Sequence, residues 1–345
     1  MKNILVIKLR YIGDVLLATP VLRALKSAFP GAKLTMLVNP GTEDIVRNHP
    51  DVNEVLVLPR GSWVSQLRFL MDLRCRRFDS VLDLTDGDRS ALVARFCGAP
   101  VRLGFNDERR WRGICYTQTV RPPAAGHRIE HDLSMLHPLG VSPTTHIPAL
   151  TISDHDDQRG ERILNEAGVS QQAMGGRLVM LQPAARYWFK AWPEERFAAL
   201  AARLSTEQGC HVLIGGSSDD RALAERICRV AGTACTVIAG RTTILEYAAI
   251  VKRCVLFVGN DSGAMHIASA MGTPLVALFG PSDPGEWGPR GGPAHSIYKG
   301  LDCRVCFHPT CRRGEENCMQ VITVDEVYAA ALRMMNKTEC VSGSA

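Results

Sequence analysis

The chain has 345 residues, 46% hydrophobic and 22% charged, with a net charge of +5. That composition excludes collagen-like, mucin-like and disordered classes, and the length predicts two domains, each with its own core. No apolar run approaches the roughly 18 residues of a membrane span, and Lys8, Arg10 and Asp14 interrupt what would be a leader's apolar region. A cytoplasmic protein, free or held at a membrane surface, is expected. Residues 1–150 carry 20 Lys+Arg against 14 Asp+Glu, a net of +6, whereas residues 151–345 carry 20 and 21, a net of −1. A basic first half suggests an anionic partner or simply an uneven surface. No Lys/Arg stripe with interleaved aromatics points to nucleic acid.

In chain order, Ile4–Lys8, Leu34–Val38, Val55–Leu58 and Ser80–Leu84 read as short apolar strands. Helical patterns lie between them, at Asp14–Ala28 (stopped by Pro30-Gly31) and Val64–Arg76. Around residues 141–177, prolines and glycines flank one predicted helix near 154–167. Strands follow at Leu178–Gln182, His211–Ile214, Thr236–Ile238, Leu256–Val258 and Leu275–Phe279. The helices expected among them are Pro193–Glu207, Asp219–Ala231, Ile244–Val251 and Gly263–Met271, and Val324–Met335 closes the chain. Such alternation predicts an α/β protein of two doubly wound, Rossmann-like parallel-sheet domains facing a central cleft. The expected domains are 1–165 and 175–322, followed by a helix and tail at 323–345. Neither G-x-G-x-x-G nor a P-loop occurs, so neither a dinucleotide oxidoreductase nor a P-loop NTPase is indicated.

Four strings at strand ends could carry chemistry. In Lys8–Asp14, Gly13 lets the backbone turn and Asp14 enters the first turn of a helix. Its carboxylate could cap that helix, or act as a general base on an incoming hydroxyl. In Gln182–Pro193, Arg186 and Lys190 suit a diphosphate, although loop cations are often only solvated. Val258–His266 ends a buried strand in Asn260-Asp261-Ser262-Gly263 and starts a helix at once. Free N–H groups there form an anion site, with Gly263 permitting close approach and His266 one turn further in. Phe279–Pro284 makes a tight loop, either the wall of a sugar or base pocket or an ordinary turn.

Eight of the twelve cysteines are scattered and read as reduced thiols. Cys303, Cys306, Cys311 and Cys318 are crowded into sixteen residues. They fit a structural zinc site, disulfides or free thiols. Four thiolates leave no open position for catalysis, the spacing is not a paired C-x2-C pattern, and His308 offers another ligand.

Four of these strings are similar to those of the lipopolysaccharide heptosyltransferases, glycosyltransferase family 9. They are Arg10-Tyr11-Ile12-Gly13-Asp14-Val15-Leu16 with Thr19-Pro20, Lys190-x-Trp192-Pro193, Asp261-Ser262-Gly263-x-x-His266 and Gly280–Pro284. The opening string most resembles the heptosyltransferase III branch. The resemblance implies the GT-B architecture and an inverting, metal-independent transfer of heptose from ADP-L-glycero-D-manno-heptose to the inner core of lipopolysaccharide. No cofactor is then needed, zinc being at most structural. The first domain would bind the lipid A-core acceptor at the cytoplasmic face of the inner membrane, in peripheral contact with it. Asp14 would be the catalytic base, next to Gly13. Lys190, with Arg186, would hold the donor phosphates, and Asp261, Ser262, Gly263 and His266 the donor, Ser262 standing where relatives often have Thr. Asp219 and Thr243 would touch the nucleoside or sugar. The alternatives are a family 9 transferase with another nucleotide sugar or acceptor, and a non-catalytic nucleotide-sugar-binding module.

Overall fold

The computed structural model describes residues 1–232, 235–303 and 311–342. They form two compact units, Met1–Thr151 and Ile152–Ala345. Unit 1 contains β1 (Asn3–Lys8), β2 (Lys33–Val38), β3 (Glu54–Val57), β4 (Ser80–Asp83), β5 (Val101–Phe105) and β6 (Gln118–Val120). These make one sheet in the order β3-β2-β1-β4-β5-β6, all pairs parallel. Its helices are α1 (Ile12–Leu17), α2 (Thr19–Ala28), α3 (Asp44–Arg47), α4 (Trp63–Cys75), α5 (Asp88–Phe96) and α6 (Arg128–Leu133).

Unit 2 repeats the plan. Its strands are β7 (Leu178–Gln182), β8 (His211–Ile214), β9 (Cys235–Val237), β10 (Leu256–Asn260), β11 (Leu275–Phe279) and β12 (Ala294–Tyr298). They pair in parallel in the order β12-β11-β10-β7-β8-β9. The helices are α7 (Asp154–Glu166), α8 (Gln171–Met174), α9 (Glu194–Gln208), α10 (Arg221–Ala231), α11 (Ile244–Lys252), α12 (Gly263–Ala270), α13 (Pro284–Trp287) and α14 (Val324–Ser342). The central strands are continuous apolar runs because helices cover both faces of each sheet. Ile4–Ile7 of β1 and Leu178–Leu181 of β7 are fully buried. The two doubly wound sheets expected from the sequence are present. Strand order reverses between β1 and β4 in unit 1 and between β7 and β10 in unit 2, and ligands of such sheets bind at the carboxyl ends of the strands at these points.

The structure departs from the sequence reading in several places. The single helix expected over Asp14–Ala28 is two, broken at Ala18. Pro20 has no N–H to offer Leu16, and the Thr19 hydroxyl donates to the Leu16 carbonyl instead, at 2.7 Å. Helix α7, expected at the end of the first domain, packs on α11 within unit 2. Strands β5, β6 and β12 were not expected. A Cβ at Gly104 of β5 would overlap the Tyr116 ring, so glycine is needed where that tyrosine crosses the strand. Cys228 and Cys235 are joined in a disulfide rather than being reduced thiols. Gly232 caps α10 with φ +63° and turns the chain back, leaving the two Cα atoms 5.6 Å apart. No helix among the described residues is long and apolar enough to cross a membrane.

Candidate functional site

In unit 1, the loop after β1 is laced to its neighbours. The Leu9 N–H donates to the Thr85 hydroxyl at 2.8 Å, Asn39 Nδ2 donates to the Leu9 carbonyl at 2.9 Å, and Arg10 Nε donates to the Thr85 carbonyl at 3.1 Å. This fixes the entry into α1, whose cap is Tyr11, so Asp14 is the third helical residue and not the cap. Its half-buried carboxylate makes no hydrogen bond or ion pair among the described residues. The side chain therefore remains available for chemistry in the first turn of α1. Gly13 is buried within the same turn.

Behind Asp14 lies a buried charge cluster the sequence reading did not assign. Lys8, fully buried at the end of β1, donates to Asp132 Oδ2 of α6 at 2.5 Å and to the Leu84 carbonyl at 2.9 Å. Burial pushes the Lys8 ammonium down, opposed by the attraction of Asp132 and, more weakly, of Asp14. Burial opposes charge on Asp132 too, yet Lys8, His131 and Arg128 together hold its carboxyl below the usual range. On β4, opposite Ile7 of β1, Asp83 accepts from the Thr85 N–H at 2.9 Å and the Tyr116 hydroxyl at 2.8 Å. Burial raises the Asp83 carboxyl despite these bonds and one from Ser90.

Unit 2 gathers its candidates at the β7/β10 reversal. Asn260, at the end of β10, clamps the 183–193 loop at both ends. Its Oδ1 accepts the Trp192 N–H at 3.1 Å and its Nδ2 donates to the Pro183 carbonyl at 2.7 Å. Trp192 is anchored further by its indole N–H, which donates to the Ile322 carbonyl at 2.9 Å. The clamped loop presents Lys190 to Asp261 at 2.6 Å, and the Ser282 hydroxyl donates to the same Asp261 oxygen at 2.6 Å. One carboxylate thus orients the ammonium, and Lys190 Nζ makes no other hydrogen bond or ion pair among the described residues. Its two remaining N–H groups can serve an anion.

Directly after Asp261, Ser262 caps α12 in an extended conformation, but its side chain accepts no capping bond. Its buried Oγ has no hydrogen-bond partner among the described residues. A buried hydroxyl left so at a helix start can take a hydrogen bond from a ligand or a water. Gly263 opens α12, and His266 is buried one turn along it. Lys190, Asp261, Ser262, Gly263 and His266 therefore belong to one corner of unit 2. The remaining sequence-derived candidates are Arg186, Asp219 and Thr243. Arg186 is exposed and sits over the Tyr187 ring at 5.7 Å. Asp219 is exposed. The Thr243 hydroxyl caps α11 by accepting the Glu246 N–H at 3.3 Å, and the Glu246 carboxylate accepts the Thr243 N–H in return.

Ser282, Asn260 and Lys8 were missed as site residues. Ser282 lies inside the Phe279–Pro284 loop, and its partner Asp261, 21 residues away, becomes visible only when the strands are paired. Of the crowded cysteines, Cys303 is exposed and Cys311 and Cys318 are half-buried, while Cys306 and His308 lie outside the described residues. Among the described residues no group of three or more His, Cys, Asp or Glu side chains is placed to hold a metal ion.

Glycosyltransferase family 9 (heptosyltransferase) matches residues 66–316. Lipopolysaccharide heptosyltransferase 3 of Escherichia coli K12 is 32% identical over 341 residues, covering 95% of this chain and 96% of that one. Among solved structures, a family 9 glycosyltransferase from Veillonella parvula superposes with a TM-score of 0.85 at 23% identity, covering 97% of each chain. ADP-heptose lps heptosyltransferase II of E. coli gives 0.81 at 25% identity, covering 98% of this chain and all of that one. The two-domain α/β architecture is thus of the GT-B class, and the resemblance to the heptosyltransferase III branch holds across the chain. By sequence match and by fold, this chain belongs to glycosyltransferase family 9 (heptosyltransferase).

Proposed function

We propose that the chain transfers heptose from ADP-L-glycero-D-manno-heptose to a lipid A-core acceptor, with inversion and without a catalytic metal, at the cytoplasmic face of the inner membrane. The observation that carries this reading is the corner formed by Lys190, Asp261, Ser282 and the start of α12. An oriented ammonium, a buried hydroxyl with no hydrogen-bond partner among the described residues and the first N–H groups of α12 lie together there, a donor set that suits a diphosphate. Membership of the family and the likeness to heptosyltransferase 3 support the choice of sugar and acceptor.

Inversion in one displacement follows from these roles. The acceptor hydroxyl gives its proton to the Asp14 carboxylate as its oxygen bonds to the anomeric carbon. The bond from that carbon to the diphosphate oxygen breaks, and ADP leaves with the electron pair. Lys190 and the α12 N–H groups stabilise the charge growing on ADP, a preorganised contribution of the kind whose removal costs roughly 10²–10³ in rate. In this reading they supply the positive potential a divalent ion supplies elsewhere.

The direct test is a panel of nucleotide sugars offered with lipid A-core acceptors, read by product mass. A gain of one heptose from the ADP-activated donor is expected, and a gain from another donor alone would overturn the assignment. Asp14→Asn should keep fold and donor affinity while losing at least about a hundredfold in turnover. Near-normal turnover would remove Asp14 from the role.

A further inference from the structure

Helix α4 is apolar on two opposite faces. Phe69, Leu70 and Leu73 turn inward onto the unit 1 core. Trp63, Val64, Leu67 and Met71 fall together on the other side and are exposed, Trp63 by 75%. A surface helix ordinarily sets polar residues opposite its buried stripe, so a second apolar face calls for a partner. The neighbouring elements extend it. Helix α5 packs against both α4 and the 3-10 turn Trp111–Cys115, and these two present Leu92, Phe96, Trp111 and Ile114 to solvent, Ile114 by 80%. Scattered exposed apolar residues are ordinary, but three adjoining elements of one unit are not scattered.

The charges around this face are predominantly basic, and its exposed carboxylates Asp88 and Glu108 lie beside Arg112 and Arg110. Residues 60–77 hold five arginines against one carboxylate, Asp72, which pairs with Arg76. Arg60, Arg68, Arg74, Arg95 and Arg109 make no ion pair among the described residues. A patch of Trp, Phe, Leu and Met on elements that also carry arginines without ion pairs among the described residues matches the interfacial zone of an anionic bilayer. There, apolar side chains enter the acyl boundary while cations meet lipid phosphates. A second copy of the chain would set the same arginines against one another.

We infer that the outward face of α4, continued by α5 and the Trp111–Cys115 turn, docks unit 1 on an anionic phospholipid surface. The inference deepens the proposed use of a lipid-linked acceptor and rests on that reading for its purpose, though not for its test. The sequence alone points to no amphipathic anchor, because α4 interleaves Ser65, Gln66, Arg68, Asp72 and Arg74 with its apolar residues, and only the packing shows which of the apolar ones are already covered.

The test is co-sedimentation of the purified full chain with vesicles of equimolar phosphatidylcholine and phosphatidylglycerol, and with vesicles of phosphatidylcholine alone. Binding to the first and much weaker binding to the second are expected, falling as NaCl is raised because the arginine contribution is screened. A Trp63→Ser/Leu67→Ser/Met71→Ser variant should bind the anionic vesicles at least about tenfold more weakly, with an unchanged near-ultraviolet spectrum apart from the lost Trp. It should also keep its turnover on a water-soluble, delipidated core acceptor. The inference is overturned if wild type ignores anionic vesicles, if the triple variant binds them equally well, or if sedimentation shows a wild-type dimer that the variant dissolves. Loss of turnover on the soluble acceptor would likewise overturn it, by placing the face in the acceptor site. Absence of heptose transfer by wild type would instead strike the proposed function and leave the vesicle result standing.

Discussion

Each unit sets a lysine–aspartate pair where its strand order reverses, and the two pairs are opposite in character. In unit 1, Lys8 and Asp132 are both wholly buried, and a backbone carbonyl takes a second N–H of the lysine. In unit 2, the Lys190 side chain is 17% exposed, and its ammonium has one hydrogen-bond partner among the described residues, Asp261. The first pair is closed on itself and braces the sheet beneath Asp14. The second is open toward the α12 N-terminus, where charge can be lent to a ligand. A lysine at the carboxyl end of a strand therefore says little by itself; how many of its donors the fold has already filled decides what it can do.

The sharpest way to break the comparison is to remove the closed lysine. Lys8→Met keeps the volume but leaves Asp132 buried with His131 at 3.2 Å and Arg128 at 3.7 Å as its remaining partners. Losing one member of a fully buried pair destabilises by about 3–5 kcal/mol, read as a lowered denaturant midpoint. Replacing both members with apolar residues, Lys8→Met/Asp132→Leu, should recover most of that loss. A single variant as stable as wild type would show that the pair does not brace unit 1.

Lys190→Met should behave in the opposite way. Asp261 keeps Ser282 and is not left alone, so the midpoint should move by no more than about 1 kcal/mol. Turnover with the ADP-activated donor should fall roughly 10²–10³-fold. A large loss of stability with little loss of rate would make the two pairs alike and withdraw Lys190 from the phosphate role.

How much of this was legible before the strands were paired follows from the range of each interaction. The apolar runs of β1, β2, β4, β7, β8, β10 and β11 announce themselves because both sheet faces are covered. Strands β5, β6 and β12 do not. Gln118–Val120 is three residues long, and Ala294–Tyr298 lies at a sheet edge with mostly exposed or half-buried side chains. The break at Ala18 was written in Pro20, and helical periodicity read straight across it. Within the site, the run from Asp261 to His266 is contiguous and sits at a strand–helix junction, so it stands out. Lys8 and Asp132 are 124 residues apart, and the sequence shows Lys8 only as a charge interrupting an apolar segment. The Thr243 hydroxyl looks like a sugar ligand in one dimension, although Glu246 three residues later already spells a capping box.

The smallest effect separates an orienting hydroxyl from one that merely fills space. Among the described residues the Ser282 hydroxyl bonds only Asp261, so its influence on the donor passes through Asp261 and the Lys190 it orients. Ser282→Ala removes one hydrogen bond of about 1 kcal/mol, and a five- to tenfold fall in turnover is the matching estimate, since 1.4 kcal/mol corresponds to about tenfold. Ser282→Thr, which keeps the hydroxyl, should restore most of it. In the Lys190→Met background the same Ser282→Ala change should do almost nothing further, because the group being oriented has gone. Full additivity of the two substitutions would mean that Ser282 acts on the loop and not on the ammonium, and that Asp261 holds Lys190 in place unaided.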